Sequence, residues 1–214
     1  MATVTRSVKQ ASTLVILGAG GHGKVVADAA LARGAWARVV ATDRDPAKCR
    51  GELLPGVILL PLDAALALPD ADFHVAIGSA EARERETGLL AGRAPASVLH
   101  PAATLSPHAA IEAGCFVAAQ AVVAPSALLG RGVIVNHGAV VDHDVQVGAF
   151  SHVGPRAVLG GGVHVGRAVL VGAGANVLPG LRVCDGVTLG AGAVVRAAIA
   201  EPGTYAGVPA RRVR

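Results

Sequence analysis

The chemistry offered by this 214-residue sequence is concentrated in eight histidines and one glycine-rich turn. His143 stands between Asp142 and Asp144 in the run VVDHDV. Imidazole titrates near neutrality, and a neighbouring carboxylate can hold the proton on one ring nitrogen while the other accepts a proton. This is the equipment of a general base. His74, His100 and His108 have no comparable company and read as structural or merely exposed. In the turn LGAGGHGKVV (17–26), Gly18, Gly20 and Gly23 spell GxGxxG, while Gly18 to Lys24 spell GxxxxGK. Either motif brings backbone N–H groups to a phosphate at a helix N-terminus. Val25, however, stands where a P-loop needs Ser or Thr for magnesium.

The elements around the turn narrow its use. Residues 13–17 (TLVIL) read as a buried strand, 23–33 as a helix and 37–42 as a second strand ending at Asp43. A short apolar run at Val57–Leu60, a helix over 62–68, the strand FHVAIGS (73–79) and a charged helix AEARERETGLLAG follow. By Val98 the chain has supplied one mononucleotide-binding half of a doubly wound fold, where a dinucleotide needs two.

From Leu99 the pattern changes to a period of six. Every sixth residue through Val195 is aliphatic, a run with a chance probability on the order of one in 10⁴. The residue two before is small or aliphatic, as an inward neighbour should be. The residue after is often glycine (Gly130, Gly148, Gly154, Gly160, Gly166, Gly172, Gly190), which suits a corner of positive φ. Such hexads predict a parallel β-helix with three hexads per coil, about five coils over 99–196 and roughly 25 Å tall. The predicted division is a tail (1–12), a Rossmann-like α/β domain (13–98), the β-helix (99–200) and a C-terminal tail (201–214).

Hexad arithmetic also predicts positions on the prism. With 139–141 on face A, 145–147 on face B and 151–153 on face C, His143 falls at the A/B corner and Gly161, eighteen residues on, stacks beside it. His152 points outward from face C. Asn136, Ala173 and Ala191 fall at the C/A corner. His143 therefore meets these residues only if neighbouring prisms pack side by side, and the natural closed solution is a trimer.

Composition bounds the partners. The net charge is +4 and aromatics make up only 2%, with no basic run interleaved with aromatics, so the charge suggests an acidic small molecule as readily as nucleic acid. Arg211, Arg212 and Arg214 form only a short basic tail. Cys49, Cys115 and Cys184 are odd in number and lack CxxC spacing, which suggests a reducing cytoplasm. Neither a signal peptide nor a membrane span is indicated.

The turn LGAGGHGK, the hexad segment VNHGAVVDHDVQVGAFSHVG (135–154) and the closing YAGVPARRVR (205–214) together resemble the PglD/NeuD-type family. These are left-handed β-helix acyltransferases using coenzyme A thioesters. They include N-acetyltransferases for nucleotide-linked 4-amino-4,6-dideoxy sugars and sialic acid O-acetyltransferases. The resemblance implies acetyl-CoA as co-substrate, no metal, a UDP- or GDP-linked amino sugar as acceptor, and a homotrimer with sites between chains. It makes His143 the general base, oriented by Asp144, and the Gly161 N–H a donor to the oxyanion. Ala173 and Ala191 would contact the pantetheine arm, and His152 and Asn136 the thioester or the substrate. Gly20, Gly21 and His22 would hold the nucleotide sugar, Asp43 its base or ribose. Gly78, Ser79 and Arg83 would make a second contact, although Arg83 beside Glu84 and Glu86 reads equally as a solvated helix charge.

Three alternatives accompany this reading. Sugar or sialic acid O-acetylation needs the same base and the same thioester. A γ-type carbonic anhydrase would place three zinc-binding histidines between two chains. Its ligand spacing is absent, because His137 and His143 are six apart and no histidine lies 36 residues before either. A sugar-nucleotide sensor would leave His143, Asp144 and His152 without a role.

Overall fold

The computed structural model describes residues 13–90 and 92–213; the expected tail 1–12 lies outside the described residues. The first unit is a five-stranded sheet flanked by helices. Its elements are β1 (Thr13–Leu17), α1 (Gly21–Arg33), β2 (Arg38–Thr42), β3 (Glu52–Leu54), β4 (Val57–Leu59), α2 (Leu62–Leu66), β5 (Ala71–Val75) and α3 (Ala80–Gly88). The spatial order is β3-β4-β2-β1-β5, parallel except for β3 against β4. An unbroken aliphatic run such as β1 suits a central parallel strand covered on both faces, and Leu14, Val15 and Ile16 are fully buried. The chain leaves β1 for β2 on one side and later returns to β5 on the other. Between those departures opens the crevice at the strands' carboxyl ends, where doubly wound folds bind ligands.

Several boundaries differ from expectation: α1 begins at Gly21 rather than 23, α2 ends at Leu66 rather than 68, and α3 ends at Gly88. The strand expected to run to residue 79 ends at Val75, because Ala76–Gly78 leave the sheet to form the crevice wall. The β3–β4 hairpin has too few alternating residues to be predicted from the pattern alone.

Beyond it the chain forms a left-handed parallel β-helix. Each hexad makes a two-residue strand whose second member is the predicted aliphatic, from Val98–Leu99 to Val194–Val195. Face A is a six-stranded sheet containing Val140–Val141, and face B is a five-stranded sheet containing Gln146–Val147. Face C is an eight-stranded sheet containing His152–Val153. Strand partners are eighteen residues apart, as in Val140↔Val158, Gln146↔His164 and His152↔Leu170. Inside, the small and aliphatic hexad positions fill the prism, and Val141, Val147, Val153 and Leu159 have no exposed surface. Each such side chain contributes about 1.5–3 kcal/mol by leaving water.

The glycines have a different function from the one expected. Those following the aliphatic residue do not take positive φ; a Cβ on Gly148, Gly154 or Gly172 would lie 2.5 or 2.6 Å from the backbone of the next coil. They permit close stacking of coils. Positive φ falls two residues later, every six residues from Gly114 to Gly192, and Gln120, Ser126, Asp144, Phe150, Arg156 and Ala168 adopt it without glycine. The expected C-terminal tail is also partly built into the fold. Thr204–Ala206 continues face C beside Thr188–Leu189 and pairs with Arg211–Arg212.

The α/β unit docks on the lower coils of face C. Val98, Phe116, Ala118 and Ile134 of the β-helix share one buried cluster with Val26, Ala27 and Ala30 of α1. Among the described residues no helix is long and apolar enough to cross a membrane.

Candidate active site

The crevice encloses a cavity of about 400 Å³. The turn after β1 forms one wall. Gly18 sits at φ +119°, and a Cβ there would lie 2.7 Å from the Ala76 carbonyl oxygen, so only glycine fits between β1 and the chain leaving β5. Gly20 and Gly21 have open space where a side chain would be. Gly20 caps α1 without a side-chain hydrogen bond, and the first turn carries no acidic residue. The helix thus presents uncapped N–H groups and its positive end to the cavity, a setting for a pyrophosphate.

Asp43 ends β2 and also lines the cavity. Its Oδ2 accepts from the Ala19 N–H at 2.9 Å and its Oδ1 from the Asp45 N–H at 3.0 Å, with Lys48 Nζ 3.7 Å away. Burial pushes its pKa up, but these N–H groups and Lys48 outweigh it and hold the carboxylate below its usual range. Asp43 thereby ties the glycine turn to the loop after β2. Gly78 lies on the opposite wall. Ser79 caps α3, its Oγ accepting from the Ala82 N–H at 3.3 Å, and does not line the cavity.

Arg83 corrects the sequence reading on both counts. It is neither a phosphate ligand nor a solvated charge, being 1% exposed with its guanidinium donating to five main-chain carbonyls. The cations that do line the cavity are Arg44, Lys48 and Arg85. Buried Glu86 holds two of them, at 2.6 Å from Arg44 and 3.4 Å from Arg85. Arg44 and Lys48 were legible as residues just past a strand's carboxyl end. Arg85 and Glu86 were not, since a run of alternating charges does not reveal which face of α3 is covered.

Where the two units meet, α1 places His22 against the β-helix. Its ring is 5.3 Å from Phe116, edge to face, and 6.4 Å from His152. His22 Nε2 is buried without a hydrogen-bond partner. His152 Nε2 lies 3.1 Å from Asn136 Nδ2, an amide donor, so this ring nitrogen is the unprotonated acceptor. Burial, reinforced for His22 by His74, His152 and Arg83, lowers the pKa to about 3 for His22 and about 4 for His152. Both rings are neutral at pH 7. Above them on the C/A corner, Ala173 and Ala191 stack in successive coils, linked by the Gly192 N–H to Ala173 carbonyl bond at 2.8 Å.

His143 occupies the A/B corner and is largely exposed. Asp144 takes the left-handed corner conformation, φ +59°, and its Oδ2 accepts from His143 Nδ1 at 2.8 Å. The His143 pKa is raised, first by this hydrogen bond and then by the charge of Asp142. Nε2 is left pointing along Gly161, where an added Cβ would come within 2.5 Å of it. The Gly161 N–H donates to no carbonyl among the described residues, while its neighbours Gly160 and Gly162 bond to Val177 and His143. An exposed imidazole nitrogen and a free N–H thus sit side by side at the A/B corner, away from His152 on face C and Asn136 at the C/A corner. Face A separates these two groups of residues.

Comparison with known proteins identifies the family. Residues 13–87 match the PglD N-terminal domain. The acetyltransferase domain of PglB from Neisseria gonorrhoeae, solved with acetyl coenzyme A, is 38% identical with a TM-score of 0.89, covering 94% of this chain and 99% of that one. PerB from Caulobacter crescentus, solved with CoA and GDP-perosamine, is 34% identical with a TM-score of 0.86, covering 94% and 97%. WeeI from Acinetobacter baumannii shares the fold at 18% identity and a TM-score of 0.57. No curated protein sequence matches the chain. The resemblance first seen in the glycine turn and the hexad segment extends over nearly the whole chain, which belongs to the PglD/NeuD-type family of sugar acyltransferases.

Proposed function

We propose that this chain is an acetyl-CoA-dependent N-acetyltransferase acting on a nucleotide-linked amino-deoxy sugar, a UDP- or GDP-4-amino-4,6-dideoxyhexose, at sites shared between chains of a cytoplasmic homotrimer. The observation carrying the reading is His143, its Nδ1 held by Asp144 and its Nε2 open beside the Gly161 N–H. The relatives solved with acetyl-CoA or with CoA and GDP-perosamine support the substrates. The uncapped N-terminus of α1 and the cations Arg44, Lys48 and Arg85 supply the charge a nucleotide diphosphate requires.

In this scheme the sugar amine attacks the thioester carbonyl while His143 Nε2 takes the proton from nitrogen. A C–N bond forms, and the oxyanion of the tetrahedral intermediate is held by the Gly161 N–H. The C–S bond then breaks, and the proton on His143 passes to the departing sulfur. Asp144 stabilises the imidazolium between these steps. His152 and Asn136 of the adjoining chain orient the acyl group, with Ala173 and Ala191 offering backbone contacts to the pantetheine arm. His22, Gly20, Gly21, Asp43 and Gly78 hold the sugar nucleotide. Support for the trimer comes from face A, where Val122, Val140 and Val158 form a partly buried apolar ladder between the two half-sites, continued by Asn176 and then Val194.

The test is thiol release from acetyl-CoA with UDP-, GDP- and CMP-linked amino and hydroxy sugars, with product mass and the His143→Ala variant alongside. A gain of one acetyl on an amino sugar, lost in the variant, is the expected result. Turnover only on hydroxy sugars would move the enzyme to O-acetylation, and no release from any of them would overturn the reading.

A further inference from the structure

We infer that Arg83 is a positioning residue that fixes the nucleotide cavity in register with the acyl-transfer half-site, joining the cavity wall to the coil that carries His152. The inference rests on the proposed function for its kinetic consequence, but not for its geometry.

Arg83 lies in the first turn of α3 and reaches across the junction between the two units. Its Nη1 donates to the carbonyls of Ile77 (2.7 Å) and Gly78 (2.9 Å), both in the cavity wall. Its Nε donates to Gly132 (2.8 Å), and its Nη2 to Phe150 and Ser151, the two residues immediately before His152. All five N–H groups of the guanidinium are engaged by main-chain oxygens. No carboxylate is among these partners, so the charge is compensated by carbonyl dipoles converging from three chain segments. A buried arginine held this way is a rigid planar connector: moving the Ile77–Gly78 wall relative to coil 150–152 by even 1 Å would break several bonds at once. The spacing between a nucleotide in the cavity and the acyl group near His152 is therefore set at Arg83.

The same placement has an electrostatic consequence. His152 is faced by His22 from α1, Asn136 from the neighbouring corner and Arg83 from α3, and His74 and His137 are the other imidazoles near His22. The guanidinium charge opposes protonation of both rings. Geometry and charge can be separated by substitution. Lysine keeps the charge but cannot span five carbonyls, and methionine removes both.

The experiment compares Arg83→Lys, Arg83→Met and the native enzyme. The readouts are steady-state kinetics with a UDP- or GDP-linked 4-amino sugar, affinity for free UDP and GDP, and ring titration of His22 and His152 by NMR. Both variants should lose roughly 10²-fold in kcat, the cost of a misplaced reacting group. Free-nucleotide affinity should stay within about threefold, because the α1 cradle is untouched. The histidine titrations should rise in Arg83→Met and stay low in Arg83→Lys. If Arg83→Met does not fold, Arg83→Lys carries the kinetic test and Arg83→Gln the titration. Restoration of native kcat by lysine would overturn the positioning role, as would a loss confined to nucleotide affinity. If the native enzyme turns over no nucleotide sugar, the functional reading fails, while the NMR shift of the His152 ring on binding UDP or GDP still decides the coupling. A shift seen in the native chain and lost in both variants supports it, and no shift in the native chain, or the same shift in the variants, overturns it.

Discussion

Gly161→Ala isolates the placement of the base from everything else at the A/B corner. The added Cβ would lie 2.5 Å from His143 Nε2 and 2.6 Å from Cε1. Carbon and nitrogen in ordinary contact need roughly 3.5 Å, so the ring must withdraw by about 1 Å. Nothing else obstructs the methyl group as closely, Gly161 is not among the positive-φ residues, and its N–H is retained. His143 is exposed and free to swing, so stability should change by no more than about 0.5 kcal/mol. A reacting group displaced by 1 Å costs roughly 10²-fold in rate. The expected outcome is a kcat for thiol release lowered about a hundredfold, with CoA affinity and melting temperature near native. Gly162→Ala is the complementary control. Its φ of +68° strains any other residue, but its added Cβ would touch nothing closer than Gly180 Cα at 4.0 Å. It should cost roughly 1–2 kcal/mol of stability and leave kcat intact. Native kcat in Gly161→Ala would refute the assignment of Nε2 as the proton acceptor.

Three further outcomes are expected. Because the base must be unprotonated, kcat/KM should fall on the acid side through a pKa that Asp144 holds above the ordinary histidine value; Asp144→Asn should move that limb to lower pH, and an unmoved limb would show that another group titrates. If the site is shared, His143→Ala and His152→Ala chains, each inactive alone, should regain about a quarter of native activity per site when co-assembled at equal amounts, and no recovery would place both histidines in one chain's site. Ser151 Oγ donates to the Gly166 carbonyl at 2.7 Å and accepts from the Val169 N–H at 2.9 Å inside the prism. Ser151→Ala leaves both unpaired and should cost about 1–3 kcal/mol, read as a lowered denaturation midpoint.

The β-helix was legible because its contacts are set by sequence spacing. A side chain's face follows from its position modulo six, and its neighbour in the next coil is eighteen residues away. His143 and Gly161 could therefore be brought together from the sequence, and His152 and Asn136 assigned to different parts of the surface. The pattern did not distinguish two jobs of glycine. Gly148 and Gly172 are needed for close coil contact, whereas the corner two residues later accepts Asp144 or Phe150 at positive φ. Both positions share the six-residue period, and only the coil-to-coil distance tells them apart.

The α/β unit carries no such arithmetic. The glycine turn and the ends of β1 and β2 could be placed from local pattern, since a ligand crevice follows from strand order. What α3 contributes depends on which side is covered when the unit docks on face C, a contact between segments 49 and more residues apart. Arg83, Arg85 and Glu86 look alike in AEARERETG, yet one is buried among carbonyls, one lines the cavity and one holds the cavity's cations. The docking contact converts a run of surface-like charges into a joint and a binding wall. Substitutions at Arg83 and Arg85 should consequently diverge, the first lowering kcat and the second weakening nucleotide affinity, although sequence alone gives them the same environment.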